Sequence, residues 1–281
     1  MCGAVACFAC LDTTAKFLNL YMTTLQVVWA RYTGAFLFAF AVSNPLTRPG
    51  VISTSRPVLQ LGRSTLLLAS TWFNFLALRY LQLDEVMAIA FSTPFLVAAL
   101  SGPMLGERVR WRRWTAIAVG FIGVLVVTRP GLGGMHPAAF LAVGAALCYA
   151  FYATTTRILA RTDSNETTLF YSNLVGAVAM APVVWFVWVT PSSTLVIALM
   201  VLCGVLASFG HYLLIAGHRL APAAVLSPFI YTQIVWVVAL GYFVFGDLPN
   251  RWTVAGSAIV VGSGLYLIHR ERKVRGAASS E

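Results

Sequence analysis

The sequence predicts an all-α membrane protein of ten transmembrane helices, built as two five-helix inverted repeats. Three observations carry this. The 281 residues are 59% hydrophobic and only 10% charged, with a mean hydropathy of +0.81. The apolar residues fall into runs of ~20, the length that crosses a hydrocarbon core. The two halves of the chain also echo each other in order. A soluble domain of this length needs many more charges to cover its surface, whereas lipid solvates an apolar exterior. Ten spans with short loops use nearly the whole chain and leave no room for a soluble domain. Irregular backbone cannot face lipid, so helices are the spanning element.

The spans read as 2–20, 25–43, 65–83, 85–105, 112–128, 137–157, 166–189, 193–217, 222–246 and 252–269. Turn residues punctuate them at Asn44-Pro45, Arg129-Pro130-Gly131, Thr190-Pro191 and Leu248-Pro249-Asn250. The first run has no basic lead-in and is followed directly by further spans, so it reads as a span and not as a cleavable signal.

Basic residues orient the spans. With the N-terminus inside, the inside loops hold Arg48, Arg56, Arg63, Arg108, Arg110, Arg112, Arg113, Arg157, Arg161, Arg219, Arg270, Arg272, Lys273 and Arg275. The outside loops hold only Arg79, Arg129 and Arg251, while Lys16 and Arg31 fall within spans. This bias predicts both termini in the cytoplasm and a bacterial-type inner membrane. It also accounts for the net charge of +10 without a nucleic-acid partner. The five cysteines, Cys2, Cys7, Cys10, Cys148 and Cys203, all lie in apolar runs. Cys7 and Cys10 have CxxC spacing, but no second pair or His cluster accompanies them, so they read as structural thiols.

Sliding the sequence on itself by about 140 residues aligns Gly106-Glu107 with Gly246-Asp247 and Arg79 with Arg219. Small shifts bring Thr23-Thr24-Leu25 onto Thr167-Thr168-Leu169, Lys16 onto Arg157, and Arg31 with Gly34 onto Asn173 with Gly176. A repeat with an odd number of spans must insert upside down relative to its copy. Inverted repeats recur in carriers, whose binding site lies between the halves near the midplane. The expected units are 1–130 and 131–270, with 271–281 a basic cytoplasmic tail.

The five-plus-five layout, Leu25-Gln26-Val27-Val28-Trp29-Ala30-Arg31-Tyr32 opening the second span, and Gly106-Glu107 and Gly246-Asp247 closing the fourth and ninth resemble the drug/metabolite transporter superfamily in its ten-helix EamA-type branch. The resemblance covers residues 2–269. It implies export of amino acids, other metabolites or drugs by alternating access. Within that branch the chain is most similar to the YddG-type exporters of aromatic amino acids and methionine. Asn173, neutral where the first half has Arg31, departs from a symmetric charged role.

Charges inside a bilayer usually face the bundle interior or a water-filled cavity. Asp12 and Lys16, spaced i,i+4, share a helix face. Arg31 enters its span from outside, roughly 9 Å deep at 1.5 Å per residue. The three are expected to meet in the outer half of the cavity, where they bind a zwitterion or gate its exit, or else form a self-satisfied ion cluster. Glu107 and Asp247 read as interfacial helix-end groups. Asp84 and Glu85 open the fourth span, where acids suit a helix N-terminus, and Pro94 is expected to bend it.

Stripes at helical spacing supply the remaining candidates: Asn74 with Ser70 on the third span, Ser92 on the fourth, Tyr149 and Tyr152 on the sixth, and His211 on the eighth. Tyr231 and Gln233 come from the ninth. With Trp72 they make a lining suited to an amphiphile with an apolar or aromatic body and a few polar handles. An amino acid fits, and so does a hydrophobic drug. His211 is either a proton carrier or a hydrogen-bonded neutral imidazole.

Rival classes find little support. There is no GxxxxGK[ST] for an ATP-driven pump. The four His (His136, His211, His218 and His269) have no HxxxH or HExxH spacing for a membrane enzyme, and no filter loop marks a channel. The expected partners are a small-molecule substrate and the lipid bilayer. The protein is expected to act as a monomer with no cofactor, no metal and no catalytic residue.

Overall fold

The computed structural model describes residues 1–42, 49–106, 111–129, 136–220 and 227–278. The features read at Arg48, Glu107, Arg108, Arg110, Gly131–Gly134 and Pro222 lie outside those residues. The elements are α1 (Cys2–Leu18), α2 (Thr24–Val42), a 3-10 turn (Pro49–Val51), α3 (Pro57–Leu78), α4 (Leu83–Ala90), α5 (Thr93–Leu105), α6 (Trp111–Thr128), α7 (Ala139–Leu159), α8 (Asn165–Phe186) and α9 (Thr194–Leu220). A 3-10 turn (Ser227–Thr232), α10 (Gln233–Leu240), a π turn (Gly241–Phe245) and α11 (Arg251–Ala278) complete the chain. Among the described residues these make an all-helical protein of ten spans.

The fourth span, Leu83–Leu105, is α4 and α5 in series. Pro94 stands in the first turn of α5, where its missing N–H costs nothing, and the chain breaks at Phe91–Ser92 just before it. The ninth span is similarly irregular, with a 3-10 turn before α10 and a π turn after it. The outer surface carries large apolar groups suited to lipid, among them Trp185, Phe186 and Phe243, each more than 80% exposed.

Both broken spans end on the same device. Gly106 (φ 69°) and Gly246 (φ 72°) adopt the left-handed conformation, which only glycine enters without a Cβ penalty. They are the two glycines that the sequence repeat superposes.

Packing follows the repeat. α1 packs on α9 as α3 packs on α7, and α2 on α9 as α8 on α3. α4 packs on α7 as α10 packs on α1. The pairs α2–α8 and α6–α11 map onto themselves, as elements on a twofold axis do. At the α6–α11 crossing a Cβ on Gly123 would lie 2.7 Å from Val260, and one on Gly256 would meet Val127. Val127 is one turn beyond Gly123, yet it meets Gly256, one turn before Val260. The two helices are therefore antiparallel, and the axis relating them lies across their length. Close approach through glycine recurs where α2 meets α9: a Cβ on Gly34 would lie 2.9 Å from the Gly204 Cα.

Two ends of the bundle follow. The near face holds the start of α1, residues 49–56 and the α7–α8 connection. The far face holds the α1–α2, α3–α4, α8–α9 and α10–α11 connections.

The main departure from the sequence reading is α3, which begins at Pro57 and not near residue 65. Arg63, read as a loop cation, lies inside this helix and is 1% exposed. α11 likewise runs on to Ala278, through most of the segment read as a tail.

Candidate functional site

Arg31 and Arg63 dominate the polar interior. Arg31, on α2, is 7% exposed, and its guanidinium stands 4.5 Å from the Tyr32 ring centroid. Its Nη1 is buried without a hydrogen-bond partner. Arg63 makes four hydrogen bonds. Its Nε donates to Thr156 Oγ1 (2.6 Å), Nη1 to the Thr168 carbonyl (3.1 Å) and Ser172 Oγ (2.9 Å), and Nη2 to Tyr152 Oη (2.8 Å). The planar guanidinium thereby ties α3 to both α7 and α8. At the equivalent position of the second half, by the offset that superposes Arg79 on Arg219, α9 carries Cys203, which is wholly buried.

Around these cations the bundle gathers part of the expected lining. Asn74 Nδ2 donates to Asp12 Oδ1 at 3.1 Å, and Asp12 lies in electrostatic range of Arg31. Tyr149, in range of both arginines, is tilted against Tyr152 with ring centroids 5.3 Å apart. His211, also in range of both, holds its Nδ1 2.7 Å from the Ala207 carbonyl and meets Phe8 edge-on. Five helices of both halves thus converge on one zone with two guanidiniums, one carboxylate, an amide, an imidazole and two phenols.

Lys16 is placed elsewhere. Its Nζ pairs with Asp247 Oδ2 at 2.8 Å, both side chains remaining partly exposed. The pair joins α1 to the turn after the ninth span, and hence one half to the other. It borders a far-face cavity of about 320 Å³ whose lining includes Arg79, Glu85 and Asn250. Asp247 is thus an inter-repeat ion-pair partner as well as a helix-end group.

Tyr231 and Gln233 sit at the irregular ninth span, both nearly buried. Tyr231 packs its hydroxyl against Gly264 and its ring against Phe91, 5.2 Å away. Ser92 is beside Phe91 at the break in the fourth span. Trp72 is on a more open side of α3, stacked on Phe73. Among the described residues, none of these four hydrogen-bonds or stacks with the two arginines. The cysteines are all unpaired; Cys203 is buried and Cys2 exposed.

Sequence reasoning missed Arg63 because hydropathy starts the third span after it. Two signals point to it: Pro57 as a helix start, and the spacing of Arg63, Ser70 and Asn74 along one face.

The EamA-like transporter pattern matches residues 1–129 and again 136–269. The chain belongs to the EamA-like transporter family. It is a multi-pass membrane transporter of that family. It is 27% identical over 265 residues to an S-adenosylmethionine uptake transporter of Rickettsia prowazekii, covering 93% of this chain and 88% of that one. It is 26% identical over 261 residues to a riboflavin transporter of Rhizobium johnstonii, covering 89% and 85%. A solved crystal structure shares the fold at 18% identity, with a TM-score of 0.64 and 97% of each chain covered.

Proposed function

We propose that this EamA protein is a secondary carrier of small amphiphilic zwitterions: α-amino carboxylates bearing an aromatic or apolar body. The observation that carries the reading is Arg31. A buried guanidinium with an unmade bond leaves a strong donor waiting for an acceptor, and Asp12 supplies the opposite charge nearby. A carboxylate on Arg31 and an ammonium toward Asp12 satisfy both, while Tyr149, Tyr152 and His211 offer surfaces to the body.

Aromatic and apolar amino acids belong to this class, as the resemblance to YddG-type exporters suggests. S-adenosylmethionine, named for the rickettsial relatives, shares the α-amino carboxylate head group and carries a flat purine, with a sulfonium as an additional positive charge. Riboflavin has no such head group. Residues 1–130 and 131–270 are the two units that exchange access, and a single copy holds the whole site. The basic loops favour an inner membrane with both termini and the near face in the cytoplasm. Direction follows the gradients: resemblance suggests export, and the rickettsial relatives' name suggests uptake.

Counterflow into proteoliposomes tests the class without assuming a direction. Methionine, tryptophan and S-adenosylmethionine should exchange saturably against one another, and riboflavin should compete poorly. Counterflow of riboflavin with none of the three zwitterions would overturn the reading.

A further inference from the structure

The far-face cavity carries an arrangement that the central site does not need. Lys16 and Arg79 bring positive charge to it, Asp247 and Glu85 negative charge. Asp84, beside Glu85, is 4% exposed, and its Oδ2 has no hydrogen-bond partner although it lies in electrostatic range of Lys16 and Asp247. Two cations thus stand with three carboxylates, one of which keeps an unpartnered oxygen, at a seam between the two halves.

We propose that this cavity is a docking site for the head group of a zwitterion, which opens the far mouth by exchanging partners with the Lys16–Asp247 ion pair. The inference rests on the zwitterion reading above. An α-amino acid presents its ammonium and carboxylate a few bonds apart, the same juxtaposition of opposite charges that Lys16 and Asp247 make at 2.8 Å. Its carboxylate takes Lys16, with Arg79 at the rim, and its ammonium takes Asp247, with the unsatisfied Asp84 oxygen close by. Both protein charges stay paired while α1 separates from the end of the ninth span. A molecule with only one charge takes the place of Lys16 or of Asp247 but not of both, so it cannot substitute for the whole pair. A part-exposed pair of this kind contributes little alone and exchanges readily, as a latch must.

The test is hydrogen exchange of the full-length protein in nanodiscs, read at 79–85 and 246–252. Millimolar methionine should raise exchange in both segments at least several-fold, whereas its decarboxylated amine and its deaminated acid should not. Lys16→Ala/Asp247→Ala should exchange fast without ligand. Lys16→Asp/Asp247→Lys, which restores a pair in reverse, should be protected at rest and opened by methionine. The gate is refuted if one-charge analogues open the mouth equally, or if methionine leaves both segments unchanged while the same preparation performs methionine counterflow. Absence of counterflow by any zwitterion removes the substrate class and the gate together.

Discussion

Gly123 and Gly256 stand opposite each other where α6 crosses α11, and each leaves the room that the other helix's valine fills. The contact is reciprocal, so one substitution offends both halves. Gly123→Val forces a side chain into Val260 and the Gly256 carbonyl. Overpacking of this kind costs about 1–3 kcal/mol. Thermal unfolding of the purified protein should move down by several degrees, and an unchanged midpoint would contradict the close crossing.

Arg31→Gln should reduce counterflow of α-amino carboxylates by about 10- to 100-fold, the worth of one charge-assisted hydrogen bond. The unfolding midpoint should hold or rise, because a buried donor without a partner has been removed. Equal losses of transport and stability would make Arg31 a structural cation.

Arg63 is the opposite case. Four hydrogen bonds depend on it, so Arg63→Ala should cost about 2–4 kcal/mol of stability. Arg63→Lys keeps the charge but not the fork and should recover less than half of the loss. Full rescue by Lys would show that charge alone matters there.

A near-face clamp is sensitive to acid. Burial pushes the Asp163 carboxyl up, but hydrogen bonds from Thr54, Gln60 and Thr162 outweigh this and hold it below the ordinary carboxylate range. A depressed carboxylate pKa stabilises the folded state above the ordinary value, and the contribution is lost as pH falls through the depressed one. The loss therefore belongs below about pH 4. Asp163→Asn should lower the unfolding midpoint at pH 7 and flatten its decline below pH 4, measured as midpoint against pH.

Much of this was legible in the sequence, because in lipid the length and order of apolar runs leave few alternatives. The Gly106 and Gly246 repeats became identical left-handed caps, and Pro94 broke its span where expected. Asp12, Arg31, Asn74, Tyr149, Tyr152 and His211 converged because their helical faces were readable. Arg63 escaped because hydropathy treats every arginine as a loop residue, blind to acceptors more than ninety positions away. Lys16 went to Asp247 and not to Arg31's neighbourhood, because a pair 231 positions apart in sequence is visible only once the halves are packed. Tyr231 shares its polarity with the central tyrosines, but Gly264 supplies a socket that no single-span pattern reveals.

The two halves are copies in outline but not in rigidity. α3 is bolted to α7 and α8 through Arg63, while α9, with Cys203 at that level, meets α2 through glycine and a single hydrogen bond from Ser208 Oγ to the Ala35 carbonyl. On the carrier reading proposed above, separating α3 from α7 and α8 breaks more hydrogen bonds than separating α9 from α2, so the two openings would differ in cost.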